Sequence, residues 1–111
     1  MLTRIVMAVA LVATAAQAQP ESNVMRGRRL AQGQCGGCHA TGAADASPKL
    51  GAPPLRDLSK HFPIENLQEA LAEGIAVGHP EMPQVVWEPR DIEAFTAYLH
   101  SLPPTPDKAR R

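Results

Sequence analysis

A chain of 111 residues, 44% hydrophobic and 20% charged, has room for one small domain and not for two. Eleven basic and eleven acidic residues cancel to a net charge of zero, and no basic stripe runs through the chain, which excludes a nucleic-acid binder. Phe62, Trp87, Phe95 and Tyr98 are the whole aromatic set, so side chains alone supply little bulk for a core.

The first eighteen residues read as a secretory signal. Arg4 is the positive n-region, Ile5 to Ala13 the apolar h-region, and Ala16-Gln17-Ala18 the small-x-small cleavage site. An uncleaved anchor is the alternative, but the apolar run is short for a bilayer span and no stop-transfer pattern follows. The expected mature protein starts at Gln19, carries no membrane anchor and is exported to the periplasm. No cysteine lies near the cleavage site to take a lipid.

Three helices follow. The first is expected from Asn23 to Gln32, with Ser22 as N-cap and Gly33 as the stop. Val24, Gly27 and Ala31 share one face of small residues, over which another helix can approach closely. The second is expected from Pro63 to Glu73, with Pro63 in the first turn and Gly74 ending it. Ile64, Leu67, Ala70 and Leu71 form its apolar stripe, and Glu65, Glu69 and Glu73 its solvated side. The third is expected from Pro89 to Ser101, with Ile92, Phe95, Tyr98, Leu99 and Leu102 as its stripe and Pro103-Pro104 beyond it.

The connections are long. Ala40 to Lys60 is rich in Ala, Gly and Pro, and Gly78-His79-Pro80-Glu81-Met82-Pro83 separates the last two helices. Val85-Val86-Trp87 is too short to build a sheet. The expected class is all-α, with loops long enough to wrap a prosthetic group. Residues 19–102 form the domain, and residues 103–111 are expected to be a mobile polar tail. Charge is segregated along the chain: +3 over residues 19–60, −6 over 61–102 and +2 over 103–111. Ordinary solvated surface accounts for this, although a basic first half could also steer an acidic partner.

Cys35-Gly36-Gly37-Cys38-His39 is the strongest local signal. C-x-x-C-H is the attachment pattern of c-type haem. Two thiols three positions apart on a tight turn can each form a thioether to the porphyrin, and the next residue then brings its imidazole to the iron. Gly36 and Gly37 keep that turn free of bulk. A disulfide between the two cysteines would close a very small loop and stabilise little. A thioredoxin-like pair would need a βαβ setting, which is missing. A zinc site would need a further ligand, His61 or His79, at an unfamiliar spacing.

A second iron ligand must come from elsewhere. Met82 stands in a Pro-rich loop instead of on a helix stripe, so core filling does not explain it. His79 is its rival, Met25 sits on the first helix away from the small-residue face, and Met1 and Met7 leave with the signal. Met/His ligation is the usual state of cytochromes c, which favours Met82.

With these features in place, the chain resembles a class I c-type cytochrome of the small monohaem bacterial kind from Val24 to Leu102. The resemblance rests on Gly27 eight residues before Cys35, the motif Cys35 to His39, Pro53-Pro54-Leu55, Met82-Pro83, and Phe95 with Tyr98. It implies a cytochrome c fold in which Gly27 and Ala31 cross Phe95 and Tyr98. Ala31 replaces the bulkier residue of many members, which implies a closer or emptier crossing. It also implies that the Pro53 carbonyl accepts the Nδ1 proton of His39, with Pro54 and Pro48 as alternatives. The implied haem-binding set is Cys35, Cys38, His39, Pro53, Leu55 and Met82, with His39 and Met82 on the iron.

The expected function is periplasmic electron transfer by one covalent haem c, without substrate chemistry of its own. Redox proteins (a dehydrogenase, an oxidase or another cytochrome) would be the partners. The protein would act as a monomer or as the cytochrome subunit of such a complex. A gas-binding protein with an open iron site is a third account, and it requires Met82 to be off the iron.

Overall fold

The computed structural model describes residues 15–74 and 81–107. The n- and h-regions of the expected signal, His79 and the last four residues of the tail lie outside the described residues.

Helix α1 runs over Asn23–Gln34, and Ser22 caps it by accepting the Met25 N–H on its Oγ at 3.3 Å. It continues past the expected stop at Gly33, because the Cys35 and Gly36 N–H groups both reach the Ala31 carbonyl, at 2.9 and 3.1 Å. A 3-10 helix over Leu55–Lys60 occupies the end of the stretch expected to be loop. Helix α2 covers Ile64–Glu73, with Pro63 one position earlier than expected, at its N-cap. Gly74 ends α2 at φ 75°, and a side chain there would also meet Val86. Helix α3 spans Pro89–Ser101, as its pattern indicates. The architecture is all-α, and no strand occurs among the described residues.

The crossing of α1 on α3 organises the fold. A Cβ on Gly27 would lie 2.0 Å from the Ala94 carbonyl oxygen and 2.7 Å from Tyr98 Cβ, so only glycine permits this approach. Ala94 and Tyr98 come nearest to Gly27, and Phe95 joins Ala31, Leu55, Leu58, Ile64, Tyr98 and Leu99 in the core beside the crossing. The small face of α1 is narrower than its pattern suggests, since Val24 is 39% exposed. Arg26 closes the edge of the crossing, its Nε donating to Asp91 Oδ1 at 2.7 Å.

Helix α3 packs on α1 and also on α2, and it therefore buries more than one stripe. Ala94 and Thr96 are buried beside the expected Ile92, Phe95, Tyr98 and Leu99, while Leu102 is half-buried. The Thr96 hydroxyl donates to the Ile92 carbonyl at 2.8 Å and accepts from Gln68 at 3.4 Å. On α2, Ile64 is buried, Leu67 and Leu71 are half-buried, and Glu65, Glu69 and Glu73 face solvent. The 85–87 run forms no ladder: the Trp87 N–H donates to the Leu71 carbonyl at 3.1 Å. The Trp87 ring meets Phe95 edge-on at 4.9 Å.

The segment after α3 is not the free tail that its polarity suggests. Asp57 accepts the Thr105 N–H at 2.7 Å and the Thr105 hydroxyl at 2.8 Å. Lys60 donates to the Thr105 carbonyl and to Asp107. The Thr105 N–H, together with burial-opposed help from the Thr105 hydroxyl, Lys60 and Arg56, holds the Asp57 carboxyl below its ordinary value. A lowered carboxyl pKa stabilises above the unfolded value, and that contribution is lost as pH falls through the folded one. Thr105 should therefore lose hydrogen-exchange protection in acid before the α1/α3 core does, and Asp57→Asn should lose it at neutral pH as well. Protection of Thr105 that does not change with pH would contradict this anchoring.

Candidate functional site

The C-terminal end of α1 delivers the cysteine motif. Beyond Gln34 the chain closes a tight turn in which the Cys35 carbonyl accepts from Cys38 N–H at 3.2 Å and His39 N–H at 2.9 Å. Its two glycines serve different needs. A Cβ on Gly36 would lie 2.5 Å from the Gln32 carbonyl oxygen, whereas one on Gly37 would meet nothing within 4 Å. Gly36 is demanded by the backbone, and Gly37 leaves open space beside the turn.

Both cysteines are free thiols and both are half-buried. Cys35 packs against the core, and burial pushes its thiol up to about 11. A thioredoxin-like pair also lacks its βαβ setting, since no strand occurs among the described residues. His61 is exposed, and no cluster of three or more potential metal donors forms among the described residues.

His39 is fixed by its own side chain. Its Nδ1 lies 2.7 Å from the Pro53 carbonyl oxygen, an acceptor only, so the proton sits on Nδ1 and donates to it. Nε2 then keeps its lone pair and can serve as a metal ligand. Pro48 is exposed, and the Pro54 carbonyl accepts the Asp57 N–H at 2.9 Å instead, starting the 3-10 helix. Leu55 is 4% exposed and belongs to the core beneath this contact, while its N–H donates to Ala40 at 2.9 Å.

Arg56 extends the same clasp, and sequence reasoning missed it. Its guanidinium, with the side chain only 10% exposed, donates to the carbonyls of Gly42 at 3.3 Å and Asp45 at 2.8 Å and to Thr105 Oγ1 at 3.0 Å. The Asp45 carboxylate in turn accepts the Thr41 and Gly42 N–H groups, at 3.3 and 2.9 Å. Tyr98 donates its hydroxyl to the Thr41 carbonyl, linking α3 to the residues just after His39. A signal existed in the sequence: one arginine directly after Pro-Pro-Leu, in a stretch otherwise rich in Ala, Gly and Pro.

Met82 is half-buried in the chain that returns from α2 to α3. The residue before it, Glu81, pairs with Lys49, whose own N–H donates to the Cys38 carbonyl at 3.1 Å. Cys35, Cys38, His39, Pro53 and Leu55 thus lie in one bonded neighbourhood, and the Met82 segment is tied to it through Lys49.

The donor set suits a c-type haem. Two free thiols stand on one turn, and the adjacent imidazole is oriented through its other nitrogen. Apolar residues of the core, Leu55 among them, lie beside this turn, and Cys35 packs against them. Among the described residues no helix is long and apolar enough to cross a membrane.

The family model described as cytochrome c oxidase, cbb3-type, subunit III, matches residues 22–99. No curated protein and no solved structure gives a significant match. The matched stretch runs from the cap of α1 into the last turn of α3 and contains the cysteine turn, the Pro53 contact and Met82. With an all-α fold closed by α1 on α3 and a C-x-x-C-H turn at the end of α1, the chain belongs to this family of c-type cytochrome domains.

Proposed function

We propose that this protein is a periplasmic electron carrier with one covalent haem c, held by Cys35 and Cys38 and ligated by His39 and Met82. The observation that carries the reading is the 2.7 Å contact of His39 Nδ1 with the Pro53 carbonyl, on a residue adjacent to the second cysteine. That bond sets the tautomer, leaves Nε2 without the proton and raises its basicity as a ligand. Bound haem supplies a one-electron iron couple, and a methionine ligand raises its potential.

The protein's own part is to hold the group rigid and to exclude water. Leu55, Phe95 and Leu99 supply apolar packing. The clasp formed by residues 53–56 and 39–45 fixes the imidazole. With His39 and Met82 both holding the iron, no position would remain open on it for substrate chemistry. Export follows from the signal expected over residues 1–18.

After export, the intact denatured mass should exceed that of the chain from Gln19 by one haem. Haem lost on acid extraction would refute the covalent reading, and a mass gain of two haems would refute the single site. The family description favours a second reading of role, in which the domain is the cytochrome subunit of a redox complex. Co-purification from the native periplasm separates the two: a stoichiometric oxidase or dehydrogenase supports the subunit, and an isolated monomer supports the free carrier.

A further inference from the structure

We propose that Lys49 is a positioning residue for the methionine side of the site, where its ion pair with Glu81 latches the Met82 segment to the cysteine turn. This rests on the reading of Met82 as an iron ligand. The backbone of Lys49 is held first. Its N–H donates to the Cys38 carbonyl at 3.1 Å, and its carbonyl accepts the Ala52 N–H at 3.2 Å. Gly51, at φ 86°, allows that turn to close. Lys49 is therefore anchored one residue from His39.

Its side chain reaches across 32 positions of sequence to Glu81. The hydrogen bond and charge of Glu81 raise the pKa of Lys49, so the ammonium stays charged. Met82 follows Glu81 directly, and Pro83 follows Met82. A residue before proline is restricted to extended conformations. With Glu81 held on one side and Pro83 on the other, the backbone of Met82 has little freedom left. The other ion pairs act elsewhere: Arg26 with Asp91 joins α1 to α3, and Lys60 with Asp57 and Asp107 holds the end of the chain.

Both latch side chains are substantially exposed, 47% for Lys49 and 72% for Glu81, so the effect is modest and sensitive to salt. Imidazole binds the ferric iron only when the methionine has left, and its apparent affinity scales with the fraction of open molecules. Lys49→Gln and Glu81→Gln in the haem-loaded full chain should each raise that affinity about two- to fivefold. The double variant should do no more than either single one. The charge swap Lys49→Glu with Glu81→Lys should restore the wild-type value, and high salt should bring the wild type to the level of Lys49→Gln. Unchanged affinity in Lys49→Gln, or additive effects in the double variant, overturns the latch. Met82→Ala tells the two failures apart. If that variant keeps the far-red band of methionine-ligated ferric haem, the ligand reading fails. If the band is lost while Lys49→Gln leaves affinity unchanged, the latch alone fails.

Discussion

Met82→Ala should abolish the far-red charge-transfer band of the oxidised protein and lower its reduction potential on the order of a hundred millivolts. Axial ligands tune haem potentials over about 0.8 V, so loss of a thioether is among the largest changes one side chain can impose. A thioether on the iron would stabilise the ferrous state, and the ligand that replaced it, water or a nearby base, would do so less. Far-red absorption and a redox titration measure both effects. A variant that keeps both band and potential would move the sixth position to the other methionine of the expected mature chain, Met25. A wild-type protein without the band would take Met82 off the iron, in favour of His79 as ligand or of the open-site, gas-binding account. The covalent attachment should survive the substitution, since Cys35 and Cys38 stand on a turn closed by its own backbone bonds.

Gly27→Ala should cost on the order of 3 kcal/mol, at the upper end of what overpacking usually costs. The added methyl would lie 2.0 Å from the Ala94 carbonyl oxygen. That atom is backbone, so the conflict can be relieved only by moving α1 away from α3. The total stability of a domain this size is about 5–15 kcal/mol, and such a loss is a large part of it. Gly33→Ala provides the contrast. It lies in the last turn of the same helix, a Cβ there would meet nothing within 4 Å, and replacing a glycine there should stabilise by about 0.5 kcal/mol, the low end of the gain for a helical glycine. Urea unfolding of the two haem-loaded variants should therefore shift in opposite directions. Equal shifts would show that the crossing is looser than described. The turn that holds Cys35 to His39 begins where α1 ends, so displacement of α1 should also disturb His39.

Local chemistry was legible wherever one residue dictates one conformation. Ser22 before an apolar-periodic run caps α1, Gly74 adopts the left-handed conformation that ends α2, and Pro89 starts α3. Gly33 misled because a glycine ends a helix only if the chain turns left-handed there, and in this chain it does not. The 3-10 helix was hidden by the two prolines before it, which look like loop until Leu55 and Leu58 are seen to be buried. The partnership of Asp57 with Thr105 spans 48 positions, so no local pattern could disclose it.

Charge followed the same division. The basic excess of residues 19–60 invites the idea of a positive docking face. In the folded chain Arg26, Arg29, Lys49, Arg56 and Lys60 all have carboxylate partners, two of them from the acidic half. The acidic groups of α2 remain turned to solvent. A sum along the sequence cannot show which charges neutralise one another.

By itself the sequence determined the donor set, because C-x-x-C-H places two thiols and an imidazole within a few bonds of each other. It also determined the helical class and the caps, which depend on neighbours one to four residues away. Only the tertiary structure decided what surrounds that chemistry. Pro53, and not Pro48 or Pro54, takes the His39 proton, Arg56 ties together the loops around it, and Lys49 joins the Cys38 turn to the Met82 segment. Each of these contacts closes a loop of eleven residues or more, and the geometry of such a loop is set by the packing of α1, α2 and α3, which no single segment encodes.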